Sequence, residues 1–131
     1  MAKTWQEKFD TKKEPIVKVL EKSFADMKQG EKMLISTPAE ISEFLKGIPK
    51  GSTLSLSELR KELAKKHKAD KTCPVTTGIF LRIITERSLE LMGEGKEPLA
   101  PFWRVIDPNS PLANKISCGP DLIIKLRDSE K

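Results

Sequence analysis

The chain has 131 residues, 24 Lys plus Arg against 19 Asp plus Glu, a formal net charge of +5, and 37% hydrophobic against 33% charged residues. That length suits one domain whose core needs no disulfide or metal, and so modest a positive surplus is compatible with polyanions without selecting them. No run approaches the ~20 apolar residues of a membrane span, and the lysine-rich start lacks the apolar segment of a signal peptide. Two cysteines and one histidine leave no pattern for a zinc site, so a cytoplasmic protein with reduced thiols, no metal and no cofactor is expected.

Residues 1–14 carry Lys3, Lys8, Lys12 and Lys13 with isolated Trp5 and Phe9, and a flexible basic arm is expected there. Residues 15–47 read as a helical extension. Pro15 opens a pattern in which Ile16, Val17, Leu20, Phe24 and Met27 recur at helical spacing, and Gly30 closes it. Lys32 to Ser36 fits a short strand, and Thr37-Pro38-Ala39-Glu40 then starts a helix with proline at its first position and Ile41, Phe44, Leu45 and Ile48 facing inward.

The turn Ile48-Pro49-Lys50-Gly51 leads into residues 48–131. Ser55-Leu56-Ser57-Glu58 is a capping box, so a helix should begin near Leu56 and pack through Leu56, Leu59, Leu63 and Ala64. His67 to Thr72 is a polar, basic turn, and Pro74 opens a second helix running to about Met92. That makes helix, turn, helix. Val75, Ile79, Phe80, Leu81, Ile83, Ile84, Leu89 and Leu91 leave the second helix little polar face, so most of it should be buried and only its first turn, with Thr76 and Thr77, open to a ligand. After a loop over Gly93 to Pro98, Pro101 to Ile106 alternates like a buried extended segment. Leu112 to Ile116 reads as a short strand or irregular wing, and Gly119-Pro120 opens a last helix. The fold class expected is α+β, mostly helical, winged-helix-like, with a few short strands.

Lys61, Lys65, Lys66, His67, Lys68 and Lys71 crowd the first helix and the turn, and Thr72, Thr76 and Thr77 flank a helix start whose unpaired amides suit phosphate. A solvated helix face and simple capping explain the same residues equally well. Phe102 and Trp103 are either walls of a pocket that stacks a base or core residues, and Arg104 pairs with a carboxylate or with phosphate. Cys73, at a helix start near lysines, leaves a thiol enzyme open in principle, but there is no resolving cysteine at short spacing and His67 has no evident positioning partner.

Gly51-Ser52-Thr53-Leu54-Ser55-Leu56-Ser57-Glu58-Leu59, then Thr77-Gly78, Pro101-Phe102-Trp103-Arg104-Val105-Ile106 and Ser117-Cys118-Gly119 before a closing amphipathic helix resemble the C-terminal domain of the alkylguanine-DNA alkyltransferases and their alkyltransferase-like relatives. The likeness spans roughly Ile48 to Glu130, with an insertion around Glu86 to Leu99. It implies a helix-turn-helix with a small wing, docking in the minor groove and flipping a damaged guanine. The family's Pro-Cys-His-Arg-Val motif has Phe102 at the cysteine position and Trp103 at the histidine position, so the thiolate and base that alkyl transfer requires are missing. Pro74 stands at the intercalating arginine and Leu56 at the phosphate-swinging tyrosine, which weakens base flipping. The resemblance thus implies non-catalytic DNA binding through Lys65, Lys66, Lys68, Lys71, Thr72, Thr76, Thr77 and Gly78, with a pocket at Phe102, Trp103 and Arg104. The alternative is a protein-interaction module that keeps the fold. A continuous basic stripe would favour DNA, and scattered lysines around an apolar patch would favour a protein.

Overall fold

The computed structural model describes residues 3–11 and 13–131. Its elements are α1 (Trp5–Phe9), β1 (Ile16–Val19), β2 (Lys32–Ile35), α2 (Pro38–Lys46), α3 (Leu56–Lys66), β3 (Lys71–Thr72), α4 (Pro74–Gly93), a 3-10 turn (Phe102–Arg104), α5 (Pro111–Lys115) and α6 (Gly119–Ser129). The class is α+β and mostly helical. The sheet has order β1-β2-β3, with β1 antiparallel and β3 parallel to β2.

Helix α4 is the scaffold. At 20 residues it is the longest element, and α1, α2, α5 and the 3-10 turn pack against it. Leu81 and Ile84 are fully buried, and its hydroxyls are hidden with them: Thr77 Oγ1 donates to Cys73 O at 2.7 Å and Thr85 Oγ1 to Leu81 O at 2.8 Å. A hydroxyl that bonds the carbonyl one turn back needs no solvent, which lets polar residues sit inside an otherwise apolar packing face. The core joins Leu81 and Ile84 to Leu34, Ile41, Leu45, Leu59, Leu63, Phe102, Ile106 and Ile123. A smaller cluster of Met27, Met33 and Cys73 lies under the sheet.

Helix starts fall where the local chemistry put them. Ser55 accepts from Glu58 N at 3.1 Å and Glu58 Oε1 accepts from Ser55 N at 3.2 Å, closing the capping box of α3. Thr37 caps α2 by accepting from Glu40 N at 3.1 Å, and proline opens both α2 and α4.

Four expectations are corrected. The arm expected to be flexible contains α1, capped by Thr4 and docked on α4, where Gln6 Oε1 accepts from Arg87 Nε at 2.5 Å. Met1, Ala2 and Lys12 of that arm lie outside the described residues. The helix expected from Pro15 to Gly30 is instead strand β1 and a loop, because β-branched Ile16, Val17 and Val19 pair in register with Ile35, Leu34 and Lys32. The extended segment expected at Pro101 to Ile106 is a helical turn: Phe102, Val105 and Ile106 are the buried positions, and the spacing i, i+3, i+4 suits a turn better than a strand. The short strand or wing expected at Leu112 to Ile116 is helix α5, nucleated by Ser110, which accepts from Ala113 N at 3.4 Å, and by Pro111 at the first position.

Candidate nucleic-acid interface

Helix α3, residues 67–73 and α4 form the expected helix, turn, helix succession, and two surfaces on it differ sharply. The first is the lysine turn. Arg60 holds Asp26 through both guanidinium nitrogens at 2.9 and 3.2 Å and donates through Nε to Thr72 O at 2.9 Å. Lys71 Nζ donates to Asp26 O at 2.6 Å. Lys66 lies 3.5 Å from Glu40 and Lys65 3.4 Å from Glu62. His67 Nε2 sits 2.5 Å from Glu40 Oε2, while Ser36 Oγ donates to Glu40 Oε1 at 2.5 Å. Burial pushes the Glu40 pKa up, but hydrogen bonds from Ser36 and His67 and the charges of His67 and Lys66 outweigh it, holding the carboxyl below its ordinary range. His67 thus has the partner that was not evident from sequence. Lys68, in the left-handed region at φ 55, and Lys61 have no ion-pair partner among the described residues.

The threonines are corrected as direct contacts. Thr72 and Thr77 are fully buried, and the Thr72 hydroxyl donates to Arg60 O at 2.6 Å. Thr76 is half-buried, and its Oγ1 is buried without a hydrogen-bond partner. What α4 exposes at its start is apolar: Val75 is 53% and Ile79 52% exposed, one turn apart, contrary to the expected burial of that face.

The second surface is a cleft of ≈ 910 Å³ between the starts of α3 and α4 and the segment 105–115. Leu54, Leu81, Val105 and Ile106 form apolar walls; Leu56, Val75 and Ile79 form one rim and Pro111 and Leu112 another, with Gly78 leaving open space where a Cβ would meet nothing within 4 Å. Three cations line it, Arg82, Lys115 and Arg127, against Glu58 and Asp107. Both carboxylates already accept backbone amides, from Ser55 at 3.2 Å and from Asn109 at 2.8 Å. Arg127 is fixed by donating to Trp103 O at 2.6 Å and Ile106 O at 2.9 Å. Arg82 lies 3.9 Å from Glu86 and 5.6 Å from the Trp5 ring, and exposed Lys115 has no ion-pair partner among the described residues. Helix α4 has no side-chain cap, and the Val75 and Thr76 amides meet no acceptor among the described residues, which leaves positive helix-end potential at the cleft margin.

The expected pocket residues stand behind this cleft rather than in it. Phe102 is fully buried and meets Trp103 edge to face at 5.2 Å between ring centroids. Trp103 Nε1 donates to Glu130 Oε1 at 2.9 Å, Arg104 Nη2 donates to the same oxygen at 2.6 Å, and Gly51 N donates to Glu130 Oε2 at 3.1 Å. Arg104 also donates to Ile48 O at 2.7 Å. Gly51 has φ +87, and a Cβ there would come within 3.3 Å of Glu130 O, so this junction requires glycine. The Arg104 hydrogen bonds, aided by Trp103 and Gly51, overcome the effect of burial and lower the Glu130 carboxyl to about 2. Glu130 is the joint between α6, the 3-10 turn and the turn before α3.

Neither thiol stands in a reactive setting. Cys73 is buried, whereas the thiol-enzyme reading needs it exposed. Burial, with the nearby Glu86 charge, pushes the Cys118 pKa up. Among the described residues no group of three or more His, Cys, Asp or Glu could hold a metal, and no helix is long and apolar enough to cross a membrane.

The chain matches no family model, and comparisons with curated proteins and with solved structures return no match.

Proposed function

We propose that the chain binds DNA without altering it, through the cleft at the starts of α3 and α4 rather than through the lysine turn. The observation that carries this reading is the convergence of an uncapped helix start, the cations Arg82 and Lys115, and the apolar walls of a cleft of ≈ 910 Å³ on one face. Phosphate suits the cations and free amides, while apolar walls suit the face of a base. The exposed Val75 and Ile79 act as an apolar wedge against base steps, a role that other minor-groove proteins give to aliphatic side chains. The resemblance to alkyltransferase-like proteins points the same way, and the damaged base is then read without alkyl transfer, since Phe102 and Trp103 supply neither nucleophile nor base.

The apolar rim of Leu56, Val75 and Ile79 favours a second reading, a protein-interaction module with a groove for an apolar segment. A salt titration of binding to two labelled duplexes, one unmodified and one with a single alkylated guanine, separates the two. Affinity that falls with salt supports DNA binding, and preference for the modified duplex supports lesion reading. Absence of binding to either duplex at low salt rejects the DNA reading in favour of the protein one.

A further inference from the structure

Arg82 is held differently from the other arginines of the chain. Arg60 donates to Thr72 O, Arg87 to Gln6 Oε1, Arg104 to Ile48 O and Arg127 to Trp103 O, so each spends guanidinium N–H groups inside the fold. Arg82 donates to no acceptor among the described residues. Glu86, one turn on, stands 3.9 Å from Arg82 Nε, beyond hydrogen-bond reach, and both Glu86 oxygens instead accept from Ser117 N at 3.3 Å. The guanidinium lies over an aromatic face: its Cζ is 5.6 Å from the centroid of the Trp5 ring, within cation–π range, and the side chain remains 44% exposed.

The ring is placed by contacts other than Arg82. Gln6 is bound to Arg87, Phe9 packs on the core, and Lys8 Nζ sits 4.4 Å from the Trp5 ring centroid. A guanidinium resting on such a fixed ring loses conformational freedom but keeps its N–H donors. An arginine ordered in advance with its donors unspent takes up phosphate at lower entropic cost. We infer, on the reading of the cleft as the DNA site, that Trp5 is a positioning residue for phosphate binding. It presents the Arg82 guanidinium to the cleft with its N–H groups free, and so makes α1 part of the interface although no residue of α1 lines the cleft.

A double-mutant cycle on affinity for the tighter-bound of the two labelled duplexes, with a salt titration of each variant, tests this role. Trp5→Ala should weaken binding on the order of fivefold and leave the salt slope nearly unchanged, because Arg82 keeps its charge. Arg82→Ala should reduce the magnitude of the slope by about 1. Adding Trp5→Ala to Arg82→Ala should cost less than about twofold more, since Trp5 acts through Arg82. Trp5→Phe, which restores a ring face, should recover most of the affinity, whereas Trp5→Leu, which restores only apolar bulk, should not. A wild-type chain that binds neither duplex overturns the DNA reading and this role together. With wild-type binding intact, equal losses from Trp5→Ala in both backgrounds, or none in either, overturn the role of Trp5 alone. If Trp5→Ala undocks α1 or unfolds the chain, Trp5→Phe against Trp5→Leu decides, and equal affinity of those two variants overturns the role as well.

Discussion

The lysine turn and the cleft sit on the same pair of helices, and the turn is much the more basic in sequence. In three dimensions the order reverses. Around the turn, Asp26, Glu40 and Glu62 face Arg60, Lys66, His67 and Lys65, so much of the charge holds the loop, β3 and α2 in place. Around the cleft fewer cations stand beside apolar surface and open helix amides: Arg127 is held by two carbonyls, Arg82 lies 3.9 Å from Glu86, Lys115 has no ion-pair partner among the described residues, and the carboxylates Glu58 and Asp107 are engaged by backbone. Counting lysines locates charge; whether that charge is available depends on what folds against it.

The largest effect should come from Glu130, which holds the wall of the cleft from behind. Glu130→Gln leaves the largely covered Arg104 without a counter-charge and should cost about 3 kcal/mol in urea unfolding. Because the folded carboxyl is lowered to about 2, its contribution is present above the unfolded value and is lost as pH falls from about 5 toward 2. Glu130→Gln should flatten acid unfolding in that window. Equal acid sensitivity of variant and wild type would remove Glu130 from its role as the joint.

A direct comparison of the two surfaces is next in size. Arg82→Ala with Lys115→Ala should lower duplex affinity on the order of tenfold and reduce the magnitude of the salt slope by about 2. Lys65→Ala, Lys66→Ala and Lys71→Ala combined should change affinity by less than about threefold, because those side chains are engaged within the fold. The opposite pattern would return the interface to the lysine turn.

Glu40 sharpens the contrast between the two carboxylate joints. Its folded pKa is also lowered, so its share of stability is present above the unfolded value and is lost as pH falls through the folded one. Glu40→Gln should therefore reduce the melting temperature at pH 7, by less than Glu130→Gln, with the difference from wild type narrowing in acid. The smallest effect is expected for Asp26→Asn, which releases Arg60. Duplex affinity should change by less than about twofold if the turn is structural, and a clear gain in affinity would mean that Asp26 was masking the interface.

The sequence alone determined the elements whose signals are local: the Ser55 and Thr37 caps, the prolines opening α2 and α4, the long apolar pattern of α4, and the helix-turn-helix succession. Arg104 could be expected to seek a carboxylate, but Glu130 is 26 residues away and is brought there only by the packing of α6. Strand β1 was hidden because its apolar spacing also fits a helix, and pairing with β2 decided between them. Only the tertiary structure could show that Thr72 and Thr77 face inward, that Lys65, Lys66 and Lys71 have partners while Lys68 has no ion-pair partner among the described residues, and that Arg82 and Lys115, far apart in sequence, share a cleft. Capping and periodicity act within a turn or two of chain, whereas burial and charge pairing are set by residues that the fold brings together from a distance.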